Sequence, residues 1–185
     1  MKMNPITTLA NTRKLKRSIA EHRDSLYRVA YSWCHNPALA DDLVQEAMAK
    51  ALKNSGQLRD TQTIKSWLYR ILTNCWHDHF RRTREMTNID DLVLVDTETP
   101  EFQHTRQQIV NQVRKAISRL PMGQRQALTL VDLEGCSYIE VAQILDIPIG
   151  TVMSRLSRAR ATLKAKLLEA DLAPEGTVSR LRTVK

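Results

Sequence analysis

Glycine is scarce in this chain, 5 of 185 residues, and aromatic side chains make up only 5%. Sandwiches, barrels and nucleotide-binding α/β sheets need glycine at their turns and phosphate loops, so the composition argues against each. No apolar run approaches the roughly 18 residues that span a membrane. The polar N-terminus also lacks a signal-peptide core, and a soluble cytoplasmic protein is expected. Only three cysteines occur, Cys34, Cys75 and Cys136, far apart and odd in number. They suggest neither a disulfide framework nor the CxxC pairs of a zinc knuckle. The one crowded spot is Cys75-Trp76-His77-Asp78-His79. At about 100° per residue, positions 75, 77 and 79 spread around a helix instead of meeting on one face. No metal site is therefore expected there. Positive charge is plentiful: Lys+Arg number 28 and Asp+Glu 20, a net +8. That excess suits a polyanionic partner, nucleic acid or an acidic membrane surface.

Hydrophobic spacing is helical almost throughout. Leu15, Ile19, His22, Leu26, Val29 and Trp33 recur at three and four, which predicts one long amphipathic helix ending near Asn36-Pro37. Asn36 can cap and Pro37 can open a second helix reaching Lys53, closed by Asn54-Ser55-Gly56. After a polar loop from Gln57 to Thr63, a third helix starts near Ile64 and runs through Phe80 into Arg81-Arg82. Its apolar stripe is Ile64, Leu68, Ile71, Leu72, Cys75 and His79. These three helices predict one small bundle over residues 12–84.

From Glu85 to Gln112 there are six acids against one base, Arg106, around the apolar run Leu92-Val93-Leu94-Val95. No strand partner lies nearby, so residues 85–99 read as a flexible acidic linker whose apolar run docks on another surface. A second helical set follows over 100–170. Thr99-Pro100 opens a helix ending before Pro121, and Pro121 to Glu134 forms another, closed by Gly135. Ser137-Tyr138-Ile139-Glu140 is a capping-box pattern starting a short helix to Leu145. Asp146-Ile147-Pro148-Ile149 makes a tight turn, and a last helix carries Val152, Leu156, Ala159, Leu163 and Leu167 on one stripe. The tail over 171–185 has no period and reads as disordered and basic.

Three helix faces carry chemistry. Helix, short turn and second helix over Ser137–Leu167 is the helix-turn-helix layout, whose second helix enters the major groove. Opposite its stripe lie Met153, Ser154, Ser157, Arg158 and Ala161; Arg155 and Thr162 flank them, with Arg160 and Lys164 on the other shoulder. Small and basic residues there let the helix sit deep in a groove and pair with guanine edges or phosphates. The third helix presents Ser66, Arg70, Thr73, His77 and Arg81, with Asn74 on one flank and Arg82 to Arg84 beyond. Trp67, Trp76 and Phe80 border that basic edge, an arrangement able to track a phosphate backbone and stack unpaired bases. On the second helix the exposed arc is acidic and polar, Asp42, Gln45, Glu46 and Ala49. It suits either plain solvation or a protein partner.

Asp41-Asp42-Leu43-Val44-Gln45-Glu46-Ala47, then Ser66-Trp67-Leu68-Tyr69-Arg70-Ile71 with Asn74, Asp78 and Arg81-Arg82, resembles region 2 of bacterial sigma factors. Leu120-Pro121 with Arg125, Asp132 to Ser137, Glu140-Val141-Ala142, Gly150 to Leu156 and Arg158-Ala159-Arg160 looks like region 4. With no further domain between them, residues 15 to 168 are similar to the extracytoplasmic-function (ECF) group. The resemblance implies an all-α initiation factor of two small helical domains on a flexible linker, without catalytic residues, cofactor or small-molecule substrate. It implies that Asp41, Asp42, Leu43, Gln45 and Glu46 dock on the β′ clamp helices of core RNA polymerase, and that the second domain binds the β flap. Promoter DNA would meet Arg70, Asn74, His77, Arg81 and Arg82 at the −10 element, with Ser55–Thr63 pocketing a flipped base. At the −35 element it would meet Met153, Ser154, Arg155, Ser157 and Arg158. An anti-sigma factor, linked to the membrane, would hold the protein inactive. Met153 departs from the pattern, since the family often carries a basic residue there. The rival readings are a dimeric helix-turn-helix regulator, which leaves the Asp41–Ala47 and Trp67–Arg82 blocks unexplained, and a metalloenzyme using Cys75, His77 and His79.

Overall fold

The computed structural model describes residues 15–58, 60, 63–86 and 105–169. The expected linker run Leu92–Val95, the Thr99-Pro100 helix start and the tail lie outside these residues. All regular elements among them are helical. They are α1 over 15–21, α2 Arg23–Cys34, α3 Pro37–Lys53, α4 Ile64–Met86, α5 Thr105–Ser118, α6 Met122–Leu128, α7 Tyr138–Leu145 and α8 Ile149–Glu169.

The helix ends follow local chemistry. Asn36 accepts a hydrogen bond from the Leu39 N–H at 3.1 Å, and Pro37 fills the first turn of α3. Both bonds of the Ser137–Glu140 capping box are formed at the start of α7. That helix ends at Asp146, which takes the left-handed backbone conformation (φ 53°) commonly given to glycine.

Two expected helices are divided. The first breaks at His22, whose backbone (φ −90°, ψ −1°) lies at the edge of the helical region. Its ring Nδ1 lies 2.7 Å from the Ser18 carbonyl, and the Ser25 hydroxyl donates to the His22 carbonyl at 2.8 Å. Side chains here compete for carbonyls that α1 and α2 would otherwise share. The helix expected over Pro121–Glu134 instead widens into a π turn at Thr129–Leu133. There the Thr129 hydroxyl donates back to the Arg125 carbonyl, and Glu134 N–H reaches the Thr129 carbonyl, five residues back. Gly135, at φ 68°, closes this turn.

One apolar cluster runs through both helical sets, from Ile19, Leu26, Trp33, Leu68 and Leu72 to Leu120, Leu130, Val141, Val152 and Leu156. The sets are thus packed together, with α7 against α4 and α5 and α6 against α2. At the junction Arg125 is buried. Its guanidinium donates to the carbonyls of Trp33 at 2.5 Å, Leu120 at 3.0 Å and Ser118. Trp33 and Ser118 lie in the last turns of α2 and α5, where helix dipoles leave partial negative charge for the cation to neutralise. Burial lowers the affinity of Arg125 for its proton. Beside it, the Ser32 and Thr129 hydroxyl oxygens are 3.0 Å apart.

Candidate nucleic-acid interface

The α4 face is built by residues at three- and four-residue spacing. Arg70, Asn74, His77, Arg81 and Arg82 are all exposed along it, as the periodicity predicts. Arg81 is steadied by Asp78 at 3.1 Å. Two residues expected on this side belong to the interior. Thr73 is buried, its hydroxyl returned to the Tyr69 carbonyl at 2.8 Å. Trp76 is buried, edge-on to Trp33 at 5.9 Å and tilted against Phe80 at 4.3 Å. Trp76 meets α2 through Trp33, a contact that a single-helix pattern does not reveal. Trp67 and Phe80 remain half-buried and are the aromatics left to border the basic edge. Of the loop before α4, Ser55–Gln57 forms a 3-10 turn and Leu58 packs on the core.

On α3, Asp42 and Gln45 are exposed, and Glu46 is half-exposed with the Lys50 ammonium 2.8 Å away. Lys50 also reaches Asp78 at 3.4 Å, so a line of alternating charge runs from Glu46 through Lys50 and Asp78 to Arg81. The Glu46 hydrogen bond is the main reason the Lys50 ammonium holds its proton more tightly than usual. Asp41 pairs with Arg23 at 3.0 Å. Leu43, expected among the docking residues, is only 2% exposed; it seats the helix and leaves surface contact to its polar neighbours.

The α8 wheel is largely as expected: Val152, Leu156 and Ala159 are buried, while Met153, Ser154, Ser157 and Arg158 are exposed. Two arginines behave otherwise. The Arg155 guanidinium lies on Gly123 of α6, so close that a Cβ there would meet its Cζ at 2.8 Å. Arg160, placed at a phosphate-facing shoulder by the wheel, is instead held by Asp132 through bonds of 2.6 and 3.2 Å. That pairing is the main reason its guanidinium holds its proton more tightly than usual.

Sequence reasoning missed the cluster between the two helical sets. The Glu134 side chain is 6% exposed and accepts the Tyr69 hydroxyl at 2.5 Å. Lys65 lies 3.7 Å and Arg28 3.4 Å from the same carboxylate. Burial, followed by this hydrogen bond, pushes the Tyr69 phenol up. The motif quoted around Glu134 was the available signal, but nothing in it tells a buried carboxylate from a solvated one. As for a metal, Cys75 is buried while His77 is exposed, and no group of three or more His, Cys, Asp and Glu among the described residues could hold an ion. No described helix is long and apolar enough to cross a membrane.

Comparison with known proteins matches this arrangement. Residues 19–85 match the model for Sigma-70 region 2, and residues 111–163 match that for Sigma-70, region 4. The ECF RNA polymerase sigma factor EcfG of Rhodopseudomonas palustris is 34% identical over 170 residues, covering 90% of this chain and 94% of the relative. The RNA polymerase sigma-H factor of Pseudomonas aeruginosa is 32% identical over 161 residues, covering 80% and 83%. Among solved structures, the sigma factor RpoE in complex with the anti-sigma factor NepR from Bartonella quintana superposes with a TM-score of 0.73 at 28% identity. That match covers 84% of this chain and 97% of the other. The helix-turn-helix of α7 and α8, the basic α4 and the acidic α3 thus occur here in the order, and over the span, of a single group of proteins: the chain belongs to the ECF RNA polymerase sigma factors.

Proposed function

We propose that this protein binds core RNA polymerase, directs it to promoters through the −10 and −35 elements, and is held in check by an anti-sigma protein. The observation that carries the reading is the separation of three chemically different exposed faces on one chain. Asp42, Gln45 and Glu46 make an acidic face, Arg70 to Arg82 a basic one that includes Asn74, and α8 a small-residue face with Arg158. In this reading Asp41, Asp42, Gln45 and Glu46 meet the β′ clamp helices, and the second helical set meets the β flap. Asn74 bonds a base edge of the displaced −10 strand while Arg70, Arg81 and Arg82 follow its phosphates, with His77 beside them. Ser154, Ser157 and Arg158 face the −35 duplex. Two solved neighbours support the regulatory part: the sigma factor RpoE is in complex with the anti-sigma factor NepR, and CnrH is in complex with the cytosolic domain of CnrY. A membrane-linked anti-sigma protein fits this role.

Transcription in vitro tests the reading. The protein with core polymerase is expected to yield defined start sites from a genomic fragment pool, and neither component alone should do so. Tight, dimeric binding to a duplex by the protein alone, with no effect on core polymerase, would instead favour a helix-turn-helix regulator.

A further inference from the structure

The N-terminal turns of a recognition helix are the part that meets base edges. In α8 those turns are Ile149-Gly150-Thr151-Val152-Met153-Ser154, without a single cation. The first basic residue, Arg155, is folded onto Gly123, and Arg160 is bound by Asp132. Ser154 spends its hydroxyl proton on the Thr151 carbonyl at 3.0 Å. The large side chains this end presents to the outside are apolar: Ile149 is 45% exposed and Met153 53% exposed, four residues apart on adjoining turns.

We propose that Met153 reads the C5-methyl group of a thymine in the −35 element, so that one base pair is discriminated by apolar contact and not by a charged hydrogen bond. The inference rests on α8 being the −35 reader. In the major groove the thymine methyl is the one apolar group a base pair offers; guanine, cytosine and adenine present N7, O6 and amino groups. A thioether pressed on those polar atoms would strip their water without a hydrogen bond in return, which is costly. Pressed on a methyl it removes two apolar surfaces from water. An unbranched, flexible methionine can reach the methyl on either strand of the pair. Arg158, further along the exposed face, reads a different pair.

The experiment uses holoenzyme assembled from core polymerase and the wild-type, Met153→Ala, Met153→Lys or Arg158→Ala protein. Each first selects from promoters with a randomised −35 element. Every thymine of the selected element, on both strands, is then replaced singly by uracil, which lacks only the methyl. At one position uracil should weaken the wild-type holoenzyme about fourfold, the value of one buried methyl group. The same replacement should leave Met153→Ala unaffected, and Met153→Lys should move the preference at that pair towards guanine. No uracil penalty, or an equal one in Met153→Ala, overturns the proposal. So does a Met153→Ala protein that loses core affinity with its base preference unchanged, since Met153 would then touch protein. If Arg158→Ala still loses preference at its own pair, α8 remains the −35 reader and only the methyl contact has failed. If no holoenzyme selects any −35 sequence, the reading beneath the proposal has failed as well.

Discussion

Arg125 and Arg158 show how one side chain takes opposite roles by position. Arg125 is enclosed by carbonyls and holds two helical sets together, whereas Arg158 is exposed to solvent and is proposed to read DNA. Replacing Arg158 with alanine should cost about 1–3 kcal/mol at the preferred −35 sequence and flatten discrimination there. Lys164, exposed on the shoulder of α8, should behave differently. Lys164→Ala is expected to weaken all promoters alike, with the loss shrinking at high salt because it reflects counterion release. Competition among −35 variants at two salt concentrations separates the two effects. The exposure of Arg158 was legible because helical period alone places it opposite Val152 and Leu156. Arg155 and Arg160 were not legible: a glycine on α6 and an aspartate on the π turn decide their positions, and both come from other elements.

At the scale of the element, the starts of α3 and α7 could be read directly because their caps use neighbouring residues. The break at His22 and the π turn at Thr129 could not, since each depends on which carbonyl a side chain finds once the helices have packed. The α7 cap makes a stability prediction. Ser137→Ala should cost about 1 kcal/mol, measured by denaturant unfolding at neutral pH. The Glu140 carboxyl is held below its usual range, first by the Ser137 backbone N–H and then by its hydroxyl. Because the folded value is the lower one, this stabilisation is complete above the ordinary carboxylate range. It is lost as pH falls through the depressed folded value. The gap between wild type and Ser137→Ala should therefore narrow in acid. The α3 face makes a binding prediction. Asp42→Arg with Glu46→Arg should leave helical content unchanged, since both side chains lie off the buried arc of Leu43, Val44 and Ala47. Affinity for core polymerase should fall roughly tenfold or more through charge reversal, and a titration showing unchanged affinity would remove this face from the docking surface.

For the whole molecule, two helical domains were legible from the stripes, but their closure on each other was not, because its polar contacts centre on one buried carboxylate and one buried guanidinium. Tyr69, Lys65 and Arg28 converge on Glu134, and Arg125 reaches back to the Trp33 carbonyl. A compact body of the size formed by the described residues measures about 40 Å across. Promoter elements centred 25 base pairs apart lie about 85 Å from each other along B-DNA at 3.4 Å per pair. With α4 at one element and α8 at the other, as proposed, the closed molecule is too short to span them, and promoter binding is expected to require the two sets to part. Ser32 and Thr129 face each other across this junction with hydroxyl oxygens 3.0 Å apart, so a pair of cysteines at these positions is the natural place to test a disulfide lock. The protein carrying Ser32→Cys with Thr129→Cys should lose promoter-directed transcription when oxidised and regain it on reduction, while either single variant stays active in both conditions. The expected loss is large, because a locked chain has no open population for polymerase to select. Full activity of the oxidised double variant, with the disulfide verified by mass spectrometry, would mean that the two elements are reached without opening, and the closed arrangement would then be a working state of the protein.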